Sequence, residues 1–572
     1  MSVVSKAPWR CGLPSTIRAY RSNPATESMN RRERRAARAT GAGPSDPQGA
    51  ALLNAALTAL NAGRPAEALA VAERAAARLP DFAPAQSILG HARRLTGDMV
   101  AARAAFAAAA RLGPKDAELQ LNLGHAESAL GNAAAAMAAY RLAVALNPSL
   151  AAGWTGLAQI LRAERRHDEA RNAALQALNL APSDPIALDS LAAIDQAGGR
   201  FDLAEAGYRA ALAVEPRSAE NLFNLGTLMM VQGRTEDEID WYRKALELRP
   251  DYSRARYNLG VALLRSERYA EGWPLYALRF HPGAAGYARR PFAQPAWDGK
   301  PLAAGRLLVW GEQGIGDELL WGSLLPELAE RVPKPVVECA PRLVPLFRRA
   351  LPEIEFVAAS DPPDARLLAA DIAAQAALGD LGAMLRPDAA GFRPRAGHIA
   401  ADPARVAELR ARYGGDRGRP LIGISWRSVN KQLGGAKSAP LSEWGPILKA
   451  REAIWIDLQY GDTAADRAAL RDQHGIELIH DPEIDALSDM DGFAAQVAAL
   501  DRVISVSNTT VHVAAALAKP CWVLLDAGAL WYWFKRRADS PWYRSVRLFR
   551  QAQAGDWAPV MAQLGAELAA EG

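Results

Sequence analysis

The sequence predicts two kinds of half: an α-helical repeat array in front and a pair of doubly wound α/β lobes behind it. Two observations carry this. Prolines stand at Pro80, Pro114, Pro148, Pro182, Pro216 and Pro250, always 34 residues apart; a fixed period of this length marks a stacked helix-turn-helix architecture. The rhythm stops near Arg279, and from residue 306 strand-like runs alternate with helical stretches, the pattern of a parallel sheet with crossover helices.

Bulk properties narrow the class. At 572 residues the chain is long enough for three or four domains, and half of it is hydrophobic. A net charge of +4 gives no argument for a nucleic-acid partner. Cys11, Cys339 and Cys521 lie far apart without CxxC spacing, which argues against a disulfide framework or zinc site and fits a reducing cytoplasm. No apolar run reaches the roughly 20 residues of a membrane helix, so the expected location is cytoplasmic or peripheral to the inner membrane. Residues 1–48 read as a disordered basic segment without the apolar core of a secretory signal. Within it Met29 precedes Arg31, Arg32, Arg34 and Arg35 and reads as a translation start.

The array is expected over 49–280. Aligned on the prolines, a leucine and a small residue recur in the first helix of each unit (Leu89-Gly90, Leu123-Gly124, Leu157-Ala158, Leu191-Ala192, Leu225-Gly226, Leu259-Gly260). The second helix carries Ala102, Ala136, Ala170 and Ala204, then Phe106, Tyr140, Tyr208 and Tyr242. Small residues let two helices approach, and the aromatic fills the gap to the next unit. Six regular units precede a partial one at 252–279, with Gly272 and Tyr276 in register. This half resembles the tetratricopeptide family, whose usual role is to bind segments of other molecules on a concave face. A spacer or dimerisation arm is the plainer alternative.

A Gly/Pro-rich linker is expected at 281–301, a first lobe at 302–400 and a second at 418–572. Strands are expected at 306–311, 335–339, 354–358, 421–426, 454–459, 476–480, 502–506 and 521–525. Ligands of such sheets bind beyond strand C-terminal ends. Two segments there carry chemistry. Leu308-Val-Trp-Gly-Glu-Gln-Gly-Ile-Gly-Asp is a strand, a loop with Gly311, Gly314 and Gly316, and a helix opening at Asp317; it lacks the spacing of a P-loop or GxGxxG fingerprint. Arg502-Val-Ile-Ser-Val-Ser-Asn-Thr-Thr-Val-His is a buried strand running into Ser507, Asn508, Thr509 and Thr510 and a helix with His512 in its first turn. Free N–H groups at that helix start suit a diphosphate. Arg427 and Lys437, beyond the 421–426 strand, are candidate cations for leaving-group charge, with Lys431 nearby.

The glycine-loop segment resembles that of the lipopolysaccharide heptosyltransferases (glycosyltransferase family nine), and Ser507-Asn-Thr-Thr-Val-His resembles their donor-phosphate signature. This chain has Ser507 and Asn508 where that family has aspartate and threonine. The resemblance implies a GT-B pair of lobes and an inverting transfer from a nucleotide-diphosphate sugar, needing no cofactor or metal. Asp317 would be the base, and Ser507, Asn508, Thr509, Thr510, His512, Arg427, Lys437 and Gln459 would lie on the donor side. The block around Trp455 to Asp462 and the aromatic tail from Trp531 resemble repeat-linked bacterial glycosyltransferases. The acceptor would be a glycan, a lipid-linked chain or a protein, the last as in eukaryotic O-linked sugar transferases. Asp489-Met-Asp491 spells a metal-binding DxD, but it precedes a helix instead of ending a buried strand. The rival reading is a repeat scaffold with a catalytically inactive nucleotide-sugar domain.

Overall fold

The computed structural model describes residues 46–393, 396–414, 418–428 and 434–571. The basic segment at 1–45, with Met29 and Cys11, and Lys431 lie outside the described residues. The chain divides into two compact units, Met1–Arg217 and Ser218–Gly572.

The described part of the first unit is a tetratricopeptide superhelix of antiparallel helix pairs, from Pro47–Asn61 and Pro65–Arg78 to Pro185–Ala197 and Phe201–Val214. Burial explains the periodic residues. A Cβ on Gly90 would lie 2.6 Å from the Phe106 ring, and one on Gly124 2.7 Å from that of Tyr140. Only the small residue lets the aromatic seat. A second 34-residue rhythm runs through the turns inside each pair: Gly63, Gly97, Gly131, Arg165, Gly199, Gly233 and Glu267 all have positive φ. Glycine adopts this backbone at least cost after a helix end.

The second unit begins inside the repeats, ahead of the 281–301 segment where the sequence places a linker. Four repeat helices belong to it: Ala219–Val231, Thr235–Leu248, Ser253–Arg265 and Tyr269–Tyr276. The last pair is complete, its second helix shortened around Pro274 and continued by a turn at Ala277–Phe280. Segment 281–301 is docked on the first sheet: Trp297 is buried, its N–H donates to Gln375 O at 2.8 Å, and Gln375 N–H donates to Pro295 O at 2.9 Å.

Two all-parallel sheets follow. The first contains β1 (Arg306–Trp310), β2 (Val336–Cys339), β3 (Glu355–Ala358) and β4 (Ile372–Ala377) in the order β3-β2-β1-β4. The second contains β5 (Leu421–Ser425), β6 (Ile454–Asp457), β7 (Arg502–Val506), β8 (Cys521–Leu525) and β9 (Val546–Arg550) in the order β6-β5-β7-β8-β9. The expected strand at 476–480 contributes only an isolated bridge, Ile456 to Ile479. β4 and β9 were not expected: β4 reads as an alanine run, and β9 alternates with arginines.

One apolar core joins the last repeat pair to both sheets. Trp273 packs edge-on to Trp531 with centroids 5.6 Å apart and lies 6.3 Å from Trp321. Its indole N–H donates to Arg386 O at 2.8 Å. Gly382 lies beneath, where a Cβ would come within 2.7 Å of both Trp273 and Trp321. Buried ion pairs reinforce the junction. Arg265 meets Glu238 at 2.6 Å, and Arg279 grips both oxygens of Glu312 at 2.8 and 2.7 Å while reaching Asp380 at 2.7 Å.

Candidate functional site

The glycine loop leaves β1 at its C-terminal end. Gly311 N–H donates to Glu338 O at 2.8 Å, and a Cβ there would sit 2.7 Å from a Glu318 oxygen. Gln313 has φ +66 and donates from its amide to the Tyr276 hydroxyl at 3.1 Å. Gly314 caps the helix Ile315–Gly322, and its N–H donates to Asp317 Oδ2 at 3.3 Å. The helix thus opens at Ile315, two residues ahead of the expected Asp317, which sits in its first turn and bonds back to the cap through one oxygen. Burial raises the Asp317 carboxyl to about 6, against the pull of the Gly314 N–H and the Lys437 charge. Its charge in turn adds to the desolvation that pushes up the hydroxyls of Tyr257, Tyr276, Tyr287, Tyr532 and Tyr543. Asp317 is thus within electrostatic reach of tyrosines from the last repeats and from the segment after β8.

The second sheet faces this loop with the helix Thr509–Ala516, which follows β7. A Cβ on Gly316 would lie 3.2 Å from His512 Cδ2 and 3.8 Å from Thr509 Oγ1, so the loop packs directly on this helix start. His512 stacks on Trp533 at 5.5 Å, and its Nδ1 lies 3.0 Å from the Tyr543 hydroxyl. Burial first, then Lys437, holds its imidazole near 3, so it is neutral at physiological pH.

Several side chains expected on the donor side have internal partners. Ser507 accepts from the Trp533 indole at 2.8 Å. Asn508 caps the helix through Thr510 N–H at 3.0 Å and donates to Ser425 Oγ at 2.7 Å and Arg427 O at 3.1 Å. Gln459 Oε1 accepts from Ser425 Oγ and the N–H groups of Trp426 and Arg427 at 2.8 to 3.0 Å, closing the end of β5. Arg427 pairs with Asp466 at 2.7 Å. Thr509 is part-exposed, Thr510 Oγ1 is buried without a partner, and Lys437 is buried with its pKa lowered by desolvation. Asp489 caps the helix Met490–Ala499 through Gly492 N–H at 2.8 Å, and Asp491 pairs with Arg349 at 2.7 Å. A separate groove of about 580 Å³ runs along β6, lined by Arg419, Trp455, Arg467, Glu477 and His480 among others.

Sequence reasoning missed Asp526, Arg279 and Glu312. Asp526 follows β8 directly, so a carboxylate ending the apolar run Cys-Trp-Val-Leu-Leu was the available signal.

Among known proteins, the tetratricopeptide repeat family matches at 53–117, 192–253 and 242–285, with further repeats of that description at 117–150 and 151–184. The chain is 33% identical over 320 residues to protein FlbA of Caulobacter vibrioides, a match covering 54% of this chain and 53% of that protein. It therefore spans about half the length of that curated relative. Two solved structures resemble it at a low level. One is a tetratricopeptide repeat protein from Parabacteroides merdae (14% identity, 41% of this chain and 92% of that one, TM-score 0.36). The other is a thermophilic repeat protein of Thermus thermophilus (24% identity, 32% and 99%, TM-score 0.30). Among the described residues no helix is long and apolar enough to cross a membrane. What these findings establish is an array of tetratricopeptide repeats followed by two parallel sheets.

Proposed function

We propose that the α/β part is a GT-B-type, inverting glycosyltransferase of the family-nine kind, using a nucleotide-diphosphate sugar, and that the repeats bind its acceptor or a protein partner. The observation that carries the reading is the setting of Asp317. Its carboxyl is held near 6 at the mouth of a glycine loop, against the start of a helix that follows a strand of the other sheet. A general base works best with a pKa close to the working pH. Asp317 takes the proton of an acceptor hydroxyl as that oxygen attacks the anomeric carbon. The bond from that carbon to the diphosphate oxygen breaks on the opposite face. The leaving diphosphate is received by the N–H groups at the Thr509–Ala516 helix start, Thr509 and the Lys437 ammonium. The internal bonds of Ser507, Asn508 and Gln459 make these residues the frame of the donor pocket, and Arg427 is held by Asp466. Transfer with this cation and helix start carrying the charge continues in EDTA, in the cytoplasm or at the inner-membrane surface.

The test is nucleotide release by the purified chain from a panel of nucleotide-diphosphate sugars, repeated with Asp317→Asn. Turnover should vanish in the variant and, in the wild type, fall below pH about 6. Variant turnover near wild type would return Asp317 to a capping role. A second reading, a repeat scaffold with an inactive nucleotide-sugar domain, is favoured by the internal use of Ser507 and Asn508. Donor binding without release from any sugar would select it.

A further inference from the structure

Beyond the residues placed in the reaction, one buried carboxylate has an oxygen without a partner. Asp526 is 9% exposed, its Oδ1 has no hydrogen-bond partner, and it makes no ion pair among the described residues. A buried polar atom left unpaired is costly and calls for an explanation. Three cations act on it: Lys437, Arg550 and Arg265. Two are engaged elsewhere, since Arg550 donates to the carbonyls of Trp533 and Phe534 and Arg265 is paired with Glu238. Lys437, 6% exposed, has no carboxylate within 4.0 Å among the described residues.

Topology puts these groups on the ligand-binding side of one sheet. Asp526 follows β8, Thr510 with its own unpartnered buried hydroxyl follows the adjacent β7, and the residues after Lys437 close on the end of β5 through Ala439 N–H to Trp426 O at 2.9 Å. Asp526 is also fixed in place. A Cβ on Gly233 would lie 2.4 Å from Ala527 O, and one on Gly528 2.4 Å from Met230 O, so the loop after β8 is pressed on the repeat helix Ala219–Val231 and its turn. A carboxylate with one oxygen left without a donor and an ammonium without an ion-pair partner among the described residues, on one sheet edge, are satisfied together by a ligand with hydroxyls at one end and phosphate oxygens at the other.

We infer that Asp526, with Thr510 from the helix after the adjacent strand, accepts hydrogen bonds from hydroxyls of the transferred sugar while Lys437 holds the diphosphate. This rests on the donor reading above. The field of Lys437 reaches both Asp317 and Asp526. In this reading the diphosphate sits at Lys437 and the anomeric carbon faces Asp317, which leaves the sugar hydroxyls to meet Asp526 at the end of β8.

Calorimetry on the full chain tests this with UDP, GDP and ADP beside UDP-glucose, GDP-mannose and ADP-glucose. For the nucleotide that binds, the gain in affinity from the attached sugar should fall about ten- to a hundredfold in Asp526→Leu, the range expected for a hydrogen bond to a charged group. Binding of the bare diphosphate should stay within twofold. Asp526→Asn, which keeps an acceptor oxygen, should retain part of the gain, and neither variant should lower the ligand-free thermal transition. Equal losses for diphosphate and sugar-diphosphate would make Asp526 a partner of Lys437 only. An unchanged gain, or a wild-type protein binding both ligands equally, would overturn the assignment alone. A wild type that binds none of the six would bring down the donor reading and this inference with it.

Discussion

In the first compact unit the aromatic of each second helix closes a gap within the array: Phe106 seats on Gly90, and Tyr140 on Gly124 and Gly156. In the second unit the residue at the same repeat position, Tyr276, meets Trp321 and Trp531 at 6.2 and 5.6 Å and accepts from Gln313 of the glycine loop. The repeat plan is unchanged but the neighbours differ. Where a repeat faces another repeat its aromatic is a spacer, and where it faces the sheets the same position becomes part of a shared core and touches the loop that carries Asp317. The last repeats are structural parts of the α/β unit.

Truncation separates the two situations with the largest effect. Deleting residues 1–217 should leave a fragment that unfolds cooperatively, because the Glu238–Arg265 and Arg279–Glu312 pairs stay whole. Deleting residues 1–249 removes Glu238 with its helix Thr235–Leu248, strips Arg265 of its partner and cover, and uncovers the loop at Ala527 and Gly528. The apolar faces covered by Ala219–Val231 and Thr235–Leu248 are then exposed, against a domain's margin of only about 5–15 kcal/mol. That fragment should be insoluble or lack a denaturation transition by circular dichroism. Equal midpoints for the two fragments would put the boundary after residue 249 and dissolve the comparison.

Within the intact chain, Arg279→Leu should destabilise the second unit by about 3–5 kcal/mol, read from urea unfolding followed by tryptophan fluorescence. Glu312 loses both of its guanidinium bonds and keeps only the Gly379 N–H at 2.8 Å. A change under about 1 kcal/mol, the scale of an exposed pair, would mean that the Trp273 core alone holds the junction.

How much of this was legible follows from what kind of order each part has. The repeats were readable because Pro, Leu, Gly and aromatic recur at fixed spacing. The left-handed turn series carried the same period, but Arg165 and Glu267 break its glycine pattern. β4 was hidden because Ile-Ala-Ala-Gln-Ala-Ala reads as helix, and only tertiary pairing with β1 makes it a strand. The extent of the second unit was illegible because its boundary is set by long-range packing of Trp273, Arg279 and Trp297, while the Gly/Pro content of 281–301 reads as a linker. At the site, Asp317 and the helix start were visible as loop-and-helix patterns. The internal bonding of Ser507, Asn508 and Gln459 depends on Trp533, Ser425 and backbone groups brought together only by the sheet.

The two units should also answer acid differently. Burial holds His91 of the first unit near 4 and His125 near 3. Their folded values lie below the unfolded 6.5, so the unfolded chain takes up protons first and stability is lost as pH falls below 6.5. For His91 this amounts to about 2 kcal/mol between pH 6.5 and 5. In the second unit His398 and His512 act in the same direction. Glu318, raised to about 7, and Asp317, raised to about 6, act oppositely because the folded state binds those protons first. Hydrogen exchange at pH 7 and pH 5 should show protection falling across the helices Ala83–Leu95 and Ala117–Ala129 but nearly level in β1 and β5. Parallel losses in both would mean that the raised carboxyls do not offset the histidines.

The smallest expected effect belongs to Asp491, and it bounds what holds the second unit together. Its pair with Arg349 runs from the helix Val344–Ala350, beside the first sheet, to the helix Met490–Ala499, beside the second. Both side chains are about one-third exposed (31% and 35%), so solvent screens the attraction and its loss should cost about 0–1 kcal/mol. Asp491→Asn should therefore shift the urea midpoint far less than Arg279→Leu, although each removes an ion pair with bidentate geometry. Burial, and the packing around it, makes the difference between them. The same variant examines the DxD pattern, because a carboxylate bound to Arg349 and a helix-capping Asp489 leave little to bind a metal. Nucleotide release should keep its wild-type rate in Asp491→Asn, with or without EDTA. A release activity that EDTA abolishes, Mn²⁺ restores and Asp491→Asn eliminates would place a cation at this pair and move the leaving-group chemistry away from Lys437.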